Sequence, residues 1–236
     1  MPKAAKPTRS RASRSRAAEP KPTREPLSRE RILEAALGLA NRSGIAGLSM
    51  RKLGDELGVE AMSLYNHIAN KDELIDALID RVVSEIELPT TDEHWKAAMR
   101  KRAVSAREVF KRYPWVTALM ETRKNPGPAA LRYYDSVIGC LRRGGFSIAM
   151  AAHAFALVDS YLYGFALQEQ SLPFETPDEA NAVAEEMLEE LPLKEFPYLT
   201  EMIVDHAMKP GYSFAAEFEY GLDLILDGLE RTKKKR

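Results

Sequence analysis

Residues 49–71, SMRKLGDELGVEAMSLYNHIANK, constrain the fold more than any other part of the chain. Ser49 is a good N-cap for a first short helix, and Leu53 and Leu57 lie four residues apart on one face of it. Gly58 can adopt the positive φ that ends this helix, so that a second short helix can begin soon afterwards. Two short helices joined by a glycine-containing turn form a helix-turn-helix, whose second helix fits the major groove of DNA.

The second short helix, at about residues 60–67, is predicted to place Leu64 inward and to leave a polar face outward. Small residues, a tyrosine hydroxyl, an amide and an imidazole on that face suit contacts with phosphates and base edges. The outward residues are Glu60, Ala61, Ser63, Tyr65, Asn66 and His67. A pair of short helices in an ordinary α-helical bundle would show the same pattern, because its polar residues would face water.

Longer amphipathic helices are predicted on both sides of the motif. Residues 28–42 carry an apolar stripe at helical spacing that includes Ile32, Ala36 and Ala40. After the motif, Asn70 and Glu73 have the spacing of a capping box, and the apolar stripe resumes at residues 74–82. The predicted order is therefore a long helix, two short helices and a second long helix.

Within residues 31–78, this sequence resembles the N-terminal domain of the TetR family of transcriptional regulators. The stretches that carry the resemblance are GIAGLS at residues 44–49, LGV at 57–59, LYNH at 64–67 and NKDEL at 70–74. The last segment, FEYGLDLILDGLE at residues 218–230, is similar to the final helix of the tetracycline-repressor-like subgroup. The resemblance implies an all-α fold with an N-terminal helix-turn-helix DNA-binding domain and a C-terminal helical domain for effector binding and dimerisation.

By the same resemblance, certain side chains of the motif contact operator DNA. Those implied to face the groove are Arg51, Ala61, Met62, Tyr65 and His67. Those implied to contact phosphates are Ser49, Ser63 and Lys71. Lys71 also lies near the start of a helix, where the dipole and the free amides favour an anion.

Charge is distributed unevenly along the 236 residues. Residues 1–71 hold 14 Lys+Arg against 7 Asp+Glu, whereas residues 72–236 hold 20 against 28. A basic front part that coincides with the motif is typical of a DNA-binding end. Residues 1–26 have no apolar periodicity and are predicted to form a disordered basic arm that binds phosphates, or a tail that serves only solubility.

We expect a domain of residues 27–88 for DNA binding and one of residues 89–236 for effector binding and dimerisation. With no uninterrupted apolar run near 18 residues and no secretory leader, no membrane span is expected, and the predicted location is the cytoplasm. Cys140 is the single cysteine, so an internal disulfide is excluded.

The second domain is predicted to be helical throughout. Two of its helices, at residues 147–170 and 213–231, carry more apolar surface than one buried face needs. A central core helix would explain that excess. The family resemblance instead implies a helix that packs on its own core and on the partner of a homodimer. The residues assigned to this dimer interface are Ala152, Ala156, Phe218, Leu222, Ile225 and Leu229.

A small-molecule effector pocket is expected between these helices, mostly apolar with a few polar points. The candidate lining residues are Trp115, Met120, Tyr133, His153, Phe155, Asp159, Tyr161 and Tyr163. Plain core packing would explain each of them taken singly. We expect no metal and no cofactor, since no ligand spacing or phosphate-binding loop occurs, and the effector is left open.

The sequence thus predicts a repressor that a small molecule releases from a palindromic operator. The alternatives are a ligand-activated transcriptional activator and a helical small-molecule-binding protein that does not bind DNA. An enzyme is not expected, because the four histidines are dispersed and no nucleophile elbow or metal spacing is present.

Overall fold

The computed structural model describes residues 26–120, 122–123, 126–174, 176–190 and 192–233. Within these ranges the chain is all-α and contains no strand, as predicted. The predicted basic arm, apart from its last residue Pro26, lies outside the described residues.

The N-terminal part consists of four helices in the predicted order, and the effector part consists of seven. The first four are α1 Arg29–Gly47, α2 Met50–Leu57, α3 Ala61–Leu64 and α4 Lys71–Val83. The others are α5 Trp95–Arg112, α6 Pro114–Met120, α7 Pro128–Arg143, α8 Ile148–Ser171, α9 Pro177–Glu190, α10 Pro197–Met202 and α11 Phe214–Lys233. A π-helical turn, Ile203–Ala207, continues α10.

The helix starts follow from local capping. Ser28, Ser49 and Asn70 each accept a hydrogen bond from the backbone three residues later, which satisfies a free N–H of the first turn. Gly44 interrupts α1 with a φ of 66°, a left-handed value that glycine adopts without strain. The helix after the turn is shorter than predicted, because Tyr65 and His67 donate to carbonyls three residues back rather than four.

The DNA-binding helices share one apolar core with the effector domain. Ile32, Leu53, Leu64 and Leu74 are fully buried at the centre of the four-helix part. α4 also packs against α6 and α7, so this core continues into the second domain. The helix that carries Leu74 therefore belongs to both domains.

α8 is the central helix of the effector domain and packs against α5, α7 and α11. By length and composition alone it would also suit a membrane span, a property that central helices of folded domains share. Midway along it, Asp159 is buried and forms an ion pair with Arg102 of α5.

Candidate functional site

The helix-turn-helix is held at close approach by two glycines. Gly58 ends α2 in the left-handed conformation, with φ 67° and ψ 35°. Gly54 is buried inside α2, and a Cβ atom there would lie 2.8 Å from the carbonyl oxygen of Val59 and 3.2 Å from the amide nitrogen of Ala61. The crossing of α2 and α3 therefore depends on the absence of a side chain at residue 54.

The residues assigned to DNA contact lie on α2, on α3 and on the turns beside them. Arg51, Met62, Tyr65 and Lys71 are exposed, with Met62 71% exposed. The half-buried ones are Ser49, Ala61, Ser63 and His67. The Ser49 hydroxyl already accepts a hydrogen bond from the amide of Lys52, at 3.2 Å. It keeps its proton to donate to a phosphate.

We call α3 and the turn that follows it, residues 61–69, the recognition segment. A clamp between α1 and α4 fixes the end of this segment. Arg29 donates to the carbonyl of His67 at 2.9 Å and to the Glu73 carboxylate at 2.7 Å. The other carboxylate oxygen accepts from the amide of Ala69 at 2.7 Å. The Ala69 amide first, and Arg29 second, lower the pKa of the Glu73 carboxyl. The clamp is therefore charged at neutral pH and is lost as the pH falls through that lowered pKa.

The described part of the DNA-binding end is nearly neutral. Residues 26–71 hold 6 Lys+Arg and 5 Asp+Glu, so the basic excess of residues 1–71 lies mainly in residues 1–25. Those residues lie outside the described part. The basic charge therefore lies mainly on the arm, whereas the helix-turn-helix lies within the described residues.

Three acidic residues of α4 join it to the effector domain. One oxygen of the Asp80 carboxylate accepts from the amides of Ala129 and Ala130, at 2.9 and 3.0 Å, and so caps the start of α7. Arg123, between α6 and α7, donates to Asp76 through Nε and to the carbonyl of Asp72 at 3.1 Å. We call these contacts, made by Asp72, Asp76, Asp80 and Arg123, the α4 joint.

The α4 joint also depends on a close approach. A Cβ atom at Gly127, the residue before α7, would lie 2.3 Å from Cγ of Asp80. Farther along the chain, Glu85 accepts from the Tyr113 hydroxyl at 3.1 Å and from Arg112 at 2.7 Å. Movement of α7 or of the α6–α7 segment therefore acts directly on α4.

A second polar cluster lies inside the effector domain, where α5, α7 and α8 meet. Arg102 of α5 is fully buried, and its Nη2 donates to Asp159 of α8. Its guanidinium carbon lies 4.7 Å from the ring centre of Tyr133 of α7, which is also fully buried. A charged side chain at the centre of an apolar domain is uncommon without a specific role.

The exposed faces of α8 and α11 form an apolar surface. The hydroxyl of Tyr161 donates to the carbonyls of Glu217 and Phe218, both at 3.1 Å, which fixes α11 beside α8. On the outer side of this pair, Leu157 is 48%, Tyr220 68% and Leu224 54% exposed. We call the outer side of α8 and α11 the α8–α11 surface.

Two family models account for most of the chain. One, described as bacterial regulatory proteins of the tetR family, matches residues 32–78. The other, the tetracyclin repressor-like C-terminal domain, matches residues 88–233.

The chain belongs to the TetR family. Its match to the family's DNA-binding domain contains the motif, and its match to the repressor-like domain contains both the Arg102 cluster and the α8–α11 surface. The protein is thus a member of a family of DNA-binding transcriptional regulators.

Similar proteins include a transcriptional repressor, a tetracycline repressor and a TetR family protein bound to a small molecule. The HTH-type transcriptional repressor DrrR1 of Streptomyces coeruleorubidus is 32% identical over 221 residues, which cover 89% of this chain and 79% of DrrR1. The class D tetracycline repressor of Escherichia coli is 34% identical over 151 residues, which cover 61% of this chain and 67% of that repressor. The structure of ActR from Streptomyces coelicolor in complex with actinorhodin has a TM-score of 0.70 at 28% identity, and the match covers 88% of this chain and 99% of ActR.

Within this TetR-family effector domain, the candidate pocket residues do not all lie together. Tyr133 and Asp159 belong to the Arg102 cluster. The Tyr163 ring lies 5.5 Å from that of Phe110 of α5. Three others lie on the side toward the DNA-binding domain. Met120 lines a cavity of about 220 Å³ between α4 and α7, and Phe155 packs against Tyr134, which lines the same cavity. Trp115 donates to Asn41 of α1 at 2.8 Å.

One pocket assignment is corrected by the structure, and a second residue has a further role in helix packing. His153 is exposed on α8, six residues and less than two turns from the buried Asp159, so it does not line an internal pocket. Tyr161 is engaged in the packing of α8 on α11, where its ring stacks on Phe218 at 5.5 Å. Burial raises the pKa of the Tyr161 hydroxyl.

Three of the six dimer assignments are also corrected. Phe218 and Leu222 are fully buried and Leu229 is 5% exposed within the protomer itself, so they pack on its own core. Ile225 is half-buried, and Ala152 and Ala156 are exposed on α8. The assignment of these last three remains a prediction.

The sequence did not single out Arg102, although it contained a signal. The buried stripe of α5 includes Trp95, Ala98, Ala106 and Val109 at helical spacing, and Arg102 lies on that stripe. Because α5 carries several exposed basic residues, its sequence did not indicate that Arg102 differs from them in being buried. A second cavity, of about 590 Å³, lies between α8, α9 and α11, and none of the predicted pocket residues lines it.

Proposed function

We propose that this protein is a cytoplasmic, dimeric repressor without catalytic activity, which binds a two-fold symmetric operator and is released by a small molecule. The observation that carries the proposal is the position of α4. Its Glu73 holds the recognition segment, and its Asp76 and Asp80 bond to the effector domain. A helix joined to both parts can transmit a change of packing in one to the other.

Selection from a random DNA library tests the operator part of the proposal. Bound sequences should converge on a palindrome whose half-sites are about one helical turn apart, or a small multiple of it, because a dimer presents two identical heads. A bound pool without an enriched sequence would contradict specific binding. A single unrepeated half-site would contradict the dimer.

Arg51 should read one base pair in each half-site. Its side chain is exposed at the start of α2, beside the recognition segment. We expect Arg51→Ala to cost about 1–3 kcal/mol of binding to the selected operator and to relax specificity at one position. Mobility shifts on the operator and on every single-base variant of it measure both effects.

Lys52→Ala provides the matched control, because it removes the same charge from the neighbouring exposed position. We expect it to weaken binding to specific and random DNA equally, or not at all. If Arg51→Ala behaves in the same way, then Arg51 contacts only the phosphate backbone.

The α4 joint should carry the coupling between the two domains. In the Asp80→Ala variant, the amides of Ala129 and Ala130 lose their carboxylate acceptor, which should cost about 0.5–2 kcal/mol of stability. DNA binding by the intact motif should persist. Hydrogen–deuterium exchange at the start of α7 should change when operator binds the wild type, and that change should be lost in the variant.

Asp135→Ala serves as the control, since Asp135 is exposed on the same helix and takes no part in the joint. It should keep the operator-dependent change in exchange. Wild-type α7 exchange that is indifferent to operator would show that the joint does not connect the two domains.

A further inference from the structure

The Arg102 cluster has more hydrogen-bond donors than the surrounding protein satisfies. Asp159 accepts from Nη2 of Arg102. Among the described residues, neither Nε nor Nη1 of Arg102, nor the hydroxyl of Tyr133, has a hydrogen-bond partner. All three atoms are buried, and buried donors of this kind in folded proteins are nearly always paired.

The charge of Arg102 does not call for a second anion. The Asp159 carboxylate is bonded to the guanidinium and already balances it. The remaining Nε–H and Nη1–H groups can only donate, and the Tyr133 hydroxyl can donate as well. A neutral oxygen acceptor, such as a ketone or quinone carbonyl, satisfies them without adding an unbalanced charge to the core.

An aromatic ring lies next to these donors. The ring of Tyr133 lies 5.7 Å from that of Tyr134. Tyr134 also lines the cavity of about 220 Å³ that α4 and α7 enclose. Arg102 and Tyr133 do not line this cavity, so a flat apolar compound in it reaches the Arg102 cluster only by displacing the Tyr134 ring.

We propose that the effector is an aromatic compound with at least one uncharged carbonyl oxygen, which accepts hydrogen bonds from Arg102 and Tyr133. That this compound acts as an effector rests on the proposed function. That it binds at the Arg102 cluster does not. Since the cavity is also lined by Asp76, Asp80 and Arg123, the same compound lies against the α4 joint. A compound that reaches the Arg102 cluster through this cavity therefore also contacts residues that position α4.

Matched pairs of probe compounds test this specificity. The pairs are benzophenone with diphenylmethane, 9-fluorenone with fluorene, and 2-naphthoate with 2-methylnaphthalene. In the first two pairs the members differ by a neutral carbonyl, and in the third by a carboxylate. Equilibrium dialysis of the full-length wild type against each compound, without DNA, gives the dissociation constants.

Tyr133→Phe is the informative variant, because it removes only a hydroxyl that no described residue bonds. Tyr198→Phe is the control, since Tyr198 is 84% exposed and lies outside the cluster. Thermal melts of both variants check folding. A purely structural Tyr133 predicts unchanged ligand affinity, so the binding measurement separates the two roles.

In the wild type, at least one carbonyl compound should bind tenfold or more tightly than its oxygen-free partner. Tyr133→Phe should reduce that preference at least fivefold, and Tyr198→Phe should retain it. The proposal is overturned if neither carbonyl compound is preferred, if only 2-naphthoate is preferred, or if Tyr133→Phe keeps the full preference. Mobility shifts with the same compounds test release of DNA separately. Preferred binding without release would leave the site intact and contradict the proposed function.

Discussion

We expect Leu224→Glu to convert the protein to monomers and to weaken operator binding by at least about 10³-fold, toward the affinity for random DNA. Leu224 is 54% exposed on the α8–α11 surface, so the monomer can fold with a carboxylate there. In the proposed dimer the same carboxylate would be buried without a partner against the second copy. Sedimentation velocity measures the assembly, and mobility shifts measure the binding.

Leu131→Glu is the matched control. Leu131 is 56% exposed on α7, so the change adds the same charge at a similarly exposed leucine away from the α8–α11 surface. It should leave both assembly and DNA binding unchanged. A wild type that sediments as a monomer at micromolar concentration, or a Leu224→Glu protein that remains dimeric, would contradict the proposed interface.

Gly54→Ala should abolish operator binding while the effector domain stays folded. The new Cβ atom would lie 2.8 Å from the backbone oxygen of Val59 and 3.2 Å from the amide nitrogen of Ala61. Backbone atoms cannot rotate away as a side chain can, so α3 must shift relative to α2. Overpacking of this kind costs about 1–3 kcal/mol, and a recognition helix displaced from its groove loses its base contacts.

Gly38→Ala makes the same chemical change inside α1 of the same domain. Its new Cβ atom would lie 3.3 Å from a terminal nitrogen of Arg42, which is the flexible end of a side chain. Replacing a glycine within a helix should then stabilise the domain by up to about 1 kcal/mol and preserve DNA binding. Mobility shifts and thermal melts of the two variants are compared directly. Equal DNA binding by both would show that the crossing of α2 and α3 tolerates a methyl group.

The helices were largely predictable, because their signals are local. Ser28, Ser49 and Asn70 each cap a helix that begins at the next residue, and Gly58 ends α2 as its sequence position indicated. α3 proved shorter than predicted. In that segment the chain adopts tighter turns that the apolar spacing of Leu64 and Ile68 does not distinguish from a helix.

The faces of α11 were not predictable to the same degree. An apolar stripe shows that one side of a helix is buried, but it does not show against which element. Leu222 lies on that stripe and packs on the protomer's own core, whereas Leu224 lies off it and is exposed. Tyr220 and Leu224, which lie off the stripe, are the exposed apolar residues of α11 that are left for a partner.

The sequence by itself determined the order and capping of the helices, the helix-turn-helix with its turn at Gly58, and the family to which the chain belongs. Only the tertiary structure decided which polar residues meet. Arg102 and Asp159 are 57 residues apart in the chain, and Asp80 and Ala129 are 49 apart. Helical periodicity relates residues within a few turns of one helix, so it does not predict such pairings between helices. They arise when α4, α5, α7 and α8 pack together, because burial then requires each charged or polar group to find a partner.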